Sequence, residues 1–248
     1  MSVPIYLTGK VNKHTDTWKR VHDDVLPLGM IVQPKTYREG YFNKASLYRW
    51  VGVDNGRFTP AGRALFSELE YRRMIEVALQ RAGDNLLFVT APDEPFDWHA
   101  TLKLSWPWLS KIRAQGACVA LCAQEGMTLE DIPWDDFDCL FIGGNDAFKE
   151  GSLVKEACKE AKRRVKWVHM GRVNTLRRML LAQSFGVDSV DGTYIMHEEK
   201  KGRHEEAVGD VVAWLRTLYT RSRNRRRSDL MRAGLTEEQA KAWMDHYP

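Results

Sequence analysis

The chain has 248 residues, of which 44% are hydrophobic and 28% charged, and its formal net charge is +4. That length can bury a substantial core and suits one α/β barrel or two small domains, while the balance of apolar and charged residues excludes a disordered chain. No apolar run approaches the roughly 18–20 residues of a membrane span. The opening Met1-Ser-Val-Pro-Ile-Tyr also lacks the basic-then-apolar layout of a signal peptide, so the cytoplasm is the expected location.

In chain order, Ile5-Tyr6-Leu7 and Gly29-Met30-Ile31-Val32 read as the first two strands, joined by a polar and partly helical stretch. Residues 35–47 are mixed in character and are expected to form a loop on the active-site side. Tyr48–Val53 is strand-like and runs into Asp54-Asn55-Gly56, a strong turn signal. Thr59-Pro60 then offers an N-cap and a proline at the first helical position, and Leu65, Leu69, Ile75 and Leu79 mark a helical stripe that stops near Gly83.

The cycle of strand, loop and helix repeats. Leu86–Thr90 leads through Asp93 to a helix that Pro107 should bend or restart, with Trp106 and Trp108 expected in the core. Cys118–Ala123 ends at Gln124-Glu125-Gly126, and a short acidic helix at Thr128–Asp131 leads to Cys139–Ile142 and Gly143-Gly144-Asn145. A helix around Leu153 and Ala161 precedes Lys166–His169, which ends at Met170-Gly171-Arg172. Leu176–Phe185 is the next helix, with Gly186 at its C-cap, and Ser189–Thr193 is the last strand.

Near-continuous apolar strands alternating with amphipathic helices imply a parallel sheet covered on its outer face. Eight candidate strands predict a (β/α)8 TIM-type barrel over residues 1–200. A doubly wound open sheet is the alternative, although the chain has no Gly-x-Gly-x-x-Gly or P-loop sequence. Residues 201–248 are expected to form C-terminal helices packed on or beside the barrel. They comprise an amphipathic stretch at 205–219, the basic run Arg221-Ser-Arg-Asn-Arg-Arg-Arg227, and a small helix opened by a capping box from Thr236 to Gln239.

In a barrel, the strand ends Asp54-Asn55-Gly56 with Phe58, Asp93, Gln124, Gly143-Gly144, Met170-Gly171 and Asp191 all point into one mouth. Carboxylates and an amide can read a base edge, glycine backbone allows close approach, and flat apolar side chains can sandwich a ring, which suits a purine. Taken alone, Asp188 and Asp191 could as well cap a turn and end a strand. His169 suits a hydrogen-bonding group behind the site better than a catalytic one. Asp97-Trp98-His99 lacks partner ligands at metal spacing, and the four dispersed cysteines read as buried thiols, so no metal is expected.

The order of these motifs resembles the tRNA-guanine transglycosylase family. The family's general-base motif, Asp-Ser-Gly-Gly-aromatic, looks like Asp54-Asn55-Gly56-Arg57-Phe58, and its second base-reading aspartate looks like Asp93. Its Val-Gln-Gly, Gly-Gly and Leu-Met-Gly-Val segments look like Ala123–Gly126, Gly143-Gly144 and His169–Arg172. Its nucleophile motif, Gly-x-Asp-x-Phe-Asp-Cys, looks like Gly186–Gly192. The resemblance spans roughly residues 48–194. It implies Asp191 as nucleophile, Asp54 as general base, and Asp93, Gln124, Gly143, Gly144, Met170, Gly171, Phe58 and Asn55 as base-binding residues.

The chain departs from the family at Asn55 and Arg57, and it lacks the cysteine-rich zinc segment that helps the tRNA enzymes hold tRNA. That favours the phage-type relatives that place 7-deazaguanines into DNA, with the host cytoplasm as location if the chain is phage-encoded. The expected partners are therefore DNA first, tRNA second, a free 7-deazaguanine base, and a second copy of the chain in a homodimer; no membrane partner is expected and no cofactor is needed. Arg172, Arg221, Arg223, Arg225, Arg226 and Arg227 are the expected nucleic-acid contacts. The alternatives are an N-glycosidase or nucleoside-level deoxyribosyltransferase using the same carboxylates, and a non-enzymatic nucleic-acid-binding barrel.

Overall fold

Eight short strands pair in parallel in chain order, and β1 (Ile5–Thr8) pairs with both β2 (Leu28–Val32) and β8 (Ser189–Gly192), which closes the sheet. Between them lie β3 (Val51–Val53), β4 (Leu86–Thr90), β5 (Val119–Ala123), β6 (Cys139–Ile142) and β7 (Trp167–Met170). The fold is a TIM barrel with a C-terminal helical extension. This computed structural model describes residues 2–9 and 27–246, so the stretch expected between the first two strands lies outside the described residues.

Side chains alternate across each strand, which separates two apolar layers. Ile5, Leu7, Ile31, Phe88, Ala120, Cys122, Cys139 and Phe141 fill the barrel interior. The opposite faces pack under the helices, as Val119 and Leu121 do on β5 and Val168 and Met170 on β7. The register sets Phe141 opposite His169 and His169 opposite Ser189, and across the closing seam Leu7 opposite Asp191. One inward-facing row thus carries polar side chains on β7 and β8.

The helices of the barrel and its extension, in chain order, are α1 (Pro34–Arg38), α2 (Pro60–Ala64), α3 (Glu68–Ala82), α4 (Trp98–Ala114), α5 (Asp146–Lys149), α6 (Ser152–Arg163), α7 (Leu176–Phe185), α8 (Tyr194–Glu199), α9 (His204–Arg232) and α10 (Glu237–His246). Several starts follow side-chain caps: Thr59, Ser67, Asp97, Asn145 and Thr175 each accept a bond from a backbone N–H one turn on. Gly186 ends α7 with a left-handed φ of 76°, and Thr236 and Gln239 form the reciprocal capping pair before α10.

The structure corrects the sequence reading in several places. Residues 35–47 are not a loop: Pro34 and the mutual Gln33–Thr36 bonds start α1, and a 3-10 segment covers Tyr41–Leu47. The single helix expected from Thr59 to Gly83 breaks at Leu65–Ser67, and its buried stripe is Tyr71, Met74, Ile75, Ala78 and Ala82. Leu65 and Leu69 are exposed because α3 restarts from the Ser67 cap, which rotates its apolar face. Pro107 does not break α4; it is exposed, so the carbonyl it leaves unbonded faces water.

Trp106 is exposed, one position off the stripe that buries Trp108. Thr128–Asp131 makes bends and no helix, and Cys118 is exposed because β5 begins one residue later. The other three cysteines are buried.

The basic run is helical, continuing the same 29-residue α9 whose buried stripe ends at Leu218. The Leu218 carbonyl accepts a bond from Gln183 Nε2 at 3.1 Å, and that amide also reaches the Ser2 carbonyl at 3.5 Å. Ser2 precedes β1, so α9 has reached the N-terminal end of the barrel by residue 218 and continues there for about another 20 Å of helix at ~1.5 Å per residue, bordering a groove with Ser2 and Val3. Among the described residues no helix is long and apolar enough to cross a membrane.

The register of α3 gives a direct check. Ile75→Ala, which empties a fully buried position, is expected to lower unfolding free energy by about 2–5 kcal/mol in urea titrations. Leu69→Ala should change it by no more than about 0.5 kcal/mol; equal losses would place the buried stripe where the sequence first suggested.

Candidate active site

The C-terminal strand ends surround one cavity of about 510 Å³, within the usual range for small-molecule sites. Asp54 from the end of β3, Asp93 after β4, Gln124 after β5, Gly143 and Gly144 after β6, Gly171 and Arg172 after β7, and Asp191 on β8 all line it, with Phe58 at the rim. The closed strand order turns residues far apart in sequence into neighbours around a ring.

Asp93 is buried and held from several sides. Its Oδ1 accepts from Asn55 Nδ2 at 2.8 Å and its Oδ2 from Gln124 Nε2 at 2.6 Å, while Gln124 Oε1 accepts from the Phe96 N–H at 3.1 Å. Burial pushes the Asp93 carboxyl above its ordinary range, opposed by these amide bonds and by the Cys122 thiol. Asn55 does not line the cavity: fully buried, it also bonds the Ala91 carbonyl, and so it braces Asp93 from behind. Its side-chain Oδ1 accepts from the Arg57 N–H at 2.9 Å, which shapes the turn after β3.

The Asp54 carboxyl is strongly displaced from its ordinary range. Burial first, then the Asp191 and Asp93 charges, push its pKa up to about 7, against the pull of the Gly56 and Asn55 backbone N–H groups. Around neutral pH it therefore exists in both protonation states, the condition for moving a proton in either direction.

Asp191 is oriented by two donors. The Arg172 N–H reaches its Oδ1 at 2.8 Å, and His169 Nε2 lies 3.3 Å from its Oδ2. His169 is fully buried between Phe88 and Phe141, and its Nδ1 lies 2.8 Å from Ser189 Oγ, which Trp167 Nε1 also reaches at 2.8 Å. Indole N–H can only donate, so it points at Oγ; the hydroxyl can then donate to Nδ1, leaving the proton of a neutral imidazole on Nε2, aimed at Asp191. Asp188 faces away: its carboxylate accepts from the Val168 N–H and pairs with Lys162, tying β8 to β7 and α6.

Met170 is not at the mouth. It follows the inward-facing His169 on β7 and so points into the layer beneath the helices. Phe141, one strand over, lies on the cavity floor instead, and a Cβ on Gly171 would come within 2.9 Å of its ring. At the rim the Arg172 guanidinium stacks on Phe58, 4.2 Å from the ring centroid, with Arg172 itself held at a positive φ of 59°.

Nor does the structure bring Arg221, Arg223, Arg225, Arg226 and Arg227 to this mouth, because α9 carries them to the opposite end of the barrel, beside Ser2 and Val3. There Arg223 and Arg227 pair with Asp245 and Glu237 of α10, and Arg226 stacks on Trp243. Asp97 serves as the cap of α4, its carboxylate accepting from the Ala100 N–H.

Sequence reasoning missed Lys149, Cys122 and Phe141, all of which line the cavity. For Lys149 a signal existed: Asn145 caps a single helical turn straight after the glycine pair, and that turn swings Lys149 back over the mouth. Compared with models of known protein families and with characterised proteins, the chain matches none.

The displaced Asp54 titration predicts how stability varies with pH. The unfolded chain releases this proton near pH 3.8, whereas the folded protein keeps it until about 7, so the stability this group contributes below pH 3.8 is lost as pH rises toward 7. Asp54→Asn removes the loss. It is expected to stabilise the fold at pH 8 by about 2–4 kcal/mol, part of the carboxylate being wet by the cavity, and to leave it unchanged near pH 3.5. Thermal melts at both pH values check this; equal effects would remove Asp54 as a strained carboxylate.

Proposed function

We propose that the chain is a base-exchange transglycosylase that replaces guanine in DNA with a 7-deazaguanine through a covalent aspartyl–glycosyl intermediate. The observation that carries this reading is the pairing of two carboxylates of different character on one purine-sized cavity. Asp191 is held in a fixed direction by the Arg172 and His169 donors, and Asp54 sits poised near pH 7. DNA is favoured over tRNA by the resemblance, since the chain has only four dispersed cysteines and none of the zinc segment of the tRNA enzymes. The target base leaves the stack to enter the cavity, where Phe141 and Phe58 offer flat surfaces and Asp93 and Gln124 a polar edge.

In the first step an Asp191 oxygen attacks C1′ and the glycosidic bond breaks, its electron pair leaving with guanine, which takes a proton from Asp54. In the second, the Asp54 carboxylate accepts the N9 proton of the incoming 7-deazaguanine, N9 forms the new bond to C1′, and Asp191 is released. Two displacements at one carbon give retention. The active site returns to its starting protonation state.

Release of labelled guanine from an oligodeoxynucleotide, driven by a 7-deazaguanine, tests this. Asp191→Asn is expected to abolish release, and Asp54→Asn to slow it by about 10²–10⁴-fold. Release from Asp191→Asn at the wild-type rate would remove Asp191 from the reaction. Abasic sites in place of incorporated base would identify a hydrolytic N-glycosidase, and faster release from tRNA than from DNA would exchange the two polymers.

The placement of the arginines makes a separate prediction. With a short single-stranded oligonucleotide that spans only the mouth, Arg172→Ala is expected to weaken binding and reduce the salt slope by about 0.7. Replacing Arg221 and Arg225 by Ala should leave both unchanged, since these side chains lie at the other end of the barrel. Binding titrations at several salt concentrations read the difference; the opposite pattern would move the polymer away from the mouth.

A further inference from the structure

Lys149 is a buried cation on a cavity otherwise dominated by carboxylates. Only 3% exposed, it lines the mouth between the ends of β6 and β7. Its Nζ donates to the Gly171 carbonyl at 3.1 Å, and Asp146, half-exposed and shared with Arg178, lies 3.5 Å away. An ammonium carries three donors, so these contacts leave it donor capacity toward the cavity. Burial, and next the Arg172 charge, push its pKa down, against the pull of Asp146 and Asp191.

The order of groups around the mouth says which part of a bound base meets this cation. Along the perimeter of a 7-deazaguanine run the 2-amino group and N1–H, then O6, then position 7, then C8 and N9. Around the barrel run Asp93 at β4, Gln124 at β5, the Gly143-Gly144 turn and Lys149 at β6–β7, then Asp191 at β8. A carboxylate suits the N–H donors, the Gln124 amide suits O6, and N9 must lie beside C1′ and hence beside Asp191. With both ends of the series fixed, position 7 falls against the glycine turn and Lys149. The turn is packed too tightly for side chains, a Cβ on Gly143 standing 2.7 Å from Gln124 Nε2 and one on Gly144 2.5 Å from the Phe148 ring, so backbone rather than a side chain lies beside Lys149 there.

We propose that Lys149 is a specificity-determining residue that selects an incoming base whose 7-substituent is a hydrogen-bond acceptor, such as a nitrile or a carboxylate, over one bearing a cationic aminomethyl group. This rests on the transglycosylase reading and adds to it the chemical class of the base. The ammonium donates to the acceptor and repels a second ammonium, so both attraction and repulsion act in the same direction.

The test is equilibrium binding of four free bases to the full chain: guanine, and 7-deazaguanines carrying 7-cyano, 7-carboxy or 7-aminomethyl groups. The wild-type protein is expected to bind the 7-cyano and 7-carboxy bases about ten- to a hundredfold more tightly than the 7-aminomethyl base. Lys149→Met should bring the ratio close to one, Lys149→Glu should invert it, and Lys149→Arg should keep its direction, with thermal melts checking that each variant folds. The wild-type ratio alone can overturn the proposal, whatever the variants do. Guanine binding with no preference among the substituents would overturn the Lys149 assignment and leave the transglycosylase reading standing. Binding of none of the bases would overturn both. A preference that survives in folded Lys149→Met would assign selection to another group, and loss of oligonucleotide affinity alone in that variant would make Lys149 a phosphate contact, overturning the assignment.

Discussion

Three carboxylates share one cavity at the C-terminal end of a closed barrel, and their crowding is the constraint on which the rest of the site depends. Asp54, Asp93 and Asp191 come from three different strand ends, and the closed sheet leaves them no way to move apart. Like charges in a partly dry space raise the cost of ionising all of them. The protein meets that cost unevenly. Asp93 is surrounded by the Asn55 and Gln124 amides, Asp191 receives two N–H donors, and Asp54, with only backbone N–H groups as its compensation, is pushed up to about 7. Unequal support is what separates a fixed carboxylate from one that trades protons near neutral pH.

The support for Asp191 reaches deep into the barrel. Trp167, Ser189 and His169 form a hydrogen-bonded line ending on the carboxylate, and Phe88 and Phe141 hold the imidazole between their rings. The line exists because the β7–β8 register places His169 directly opposite Ser189, two residues before Asp191 on the same face. A polar chain of this kind is tolerated inside an apolar barrel because each group in it has a partner. It also explains why Met170 is displaced from the mouth: on a strand only one of two successive side chains can face inward, and here the histidine does.

Much of the fold was legible in the sequence. Apolar strand runs separated by helices gave eight strands in order, because the strands are largely buried on both faces and five helix starts carry a Ser, Thr, Asp or Asn cap. The mouth was largely legible as well, since polar residues directly after apolar strands have one end of a barrel to occupy. What the sequence hid was direction and distance. Alternation could not say whether His169 or Met170 faces inward, nor could composition say that the α9 arginines lie at the end of the barrel opposite the mouth, where Arg223, Arg225 and Arg226 border a groove with Ser2 and Val3. Lys149 was hidden because its place depends on one capped turn of helix rather than on any strand end.

The central claim is that Asp191 becomes covalently attached to the sugar. The most direct measurement is mass spectrometry of the protein denatured during turnover with a guanine-containing oligodeoxynucleotide, trimmed by nuclease and mapped by peptide. The account predicts a nucleotide-derived mass, lacking guanine, on the peptide containing Asp191. Its contradiction would be base exchange proceeding with the added mass on another residue, or with no protein-bound sugar at any stage of turnover.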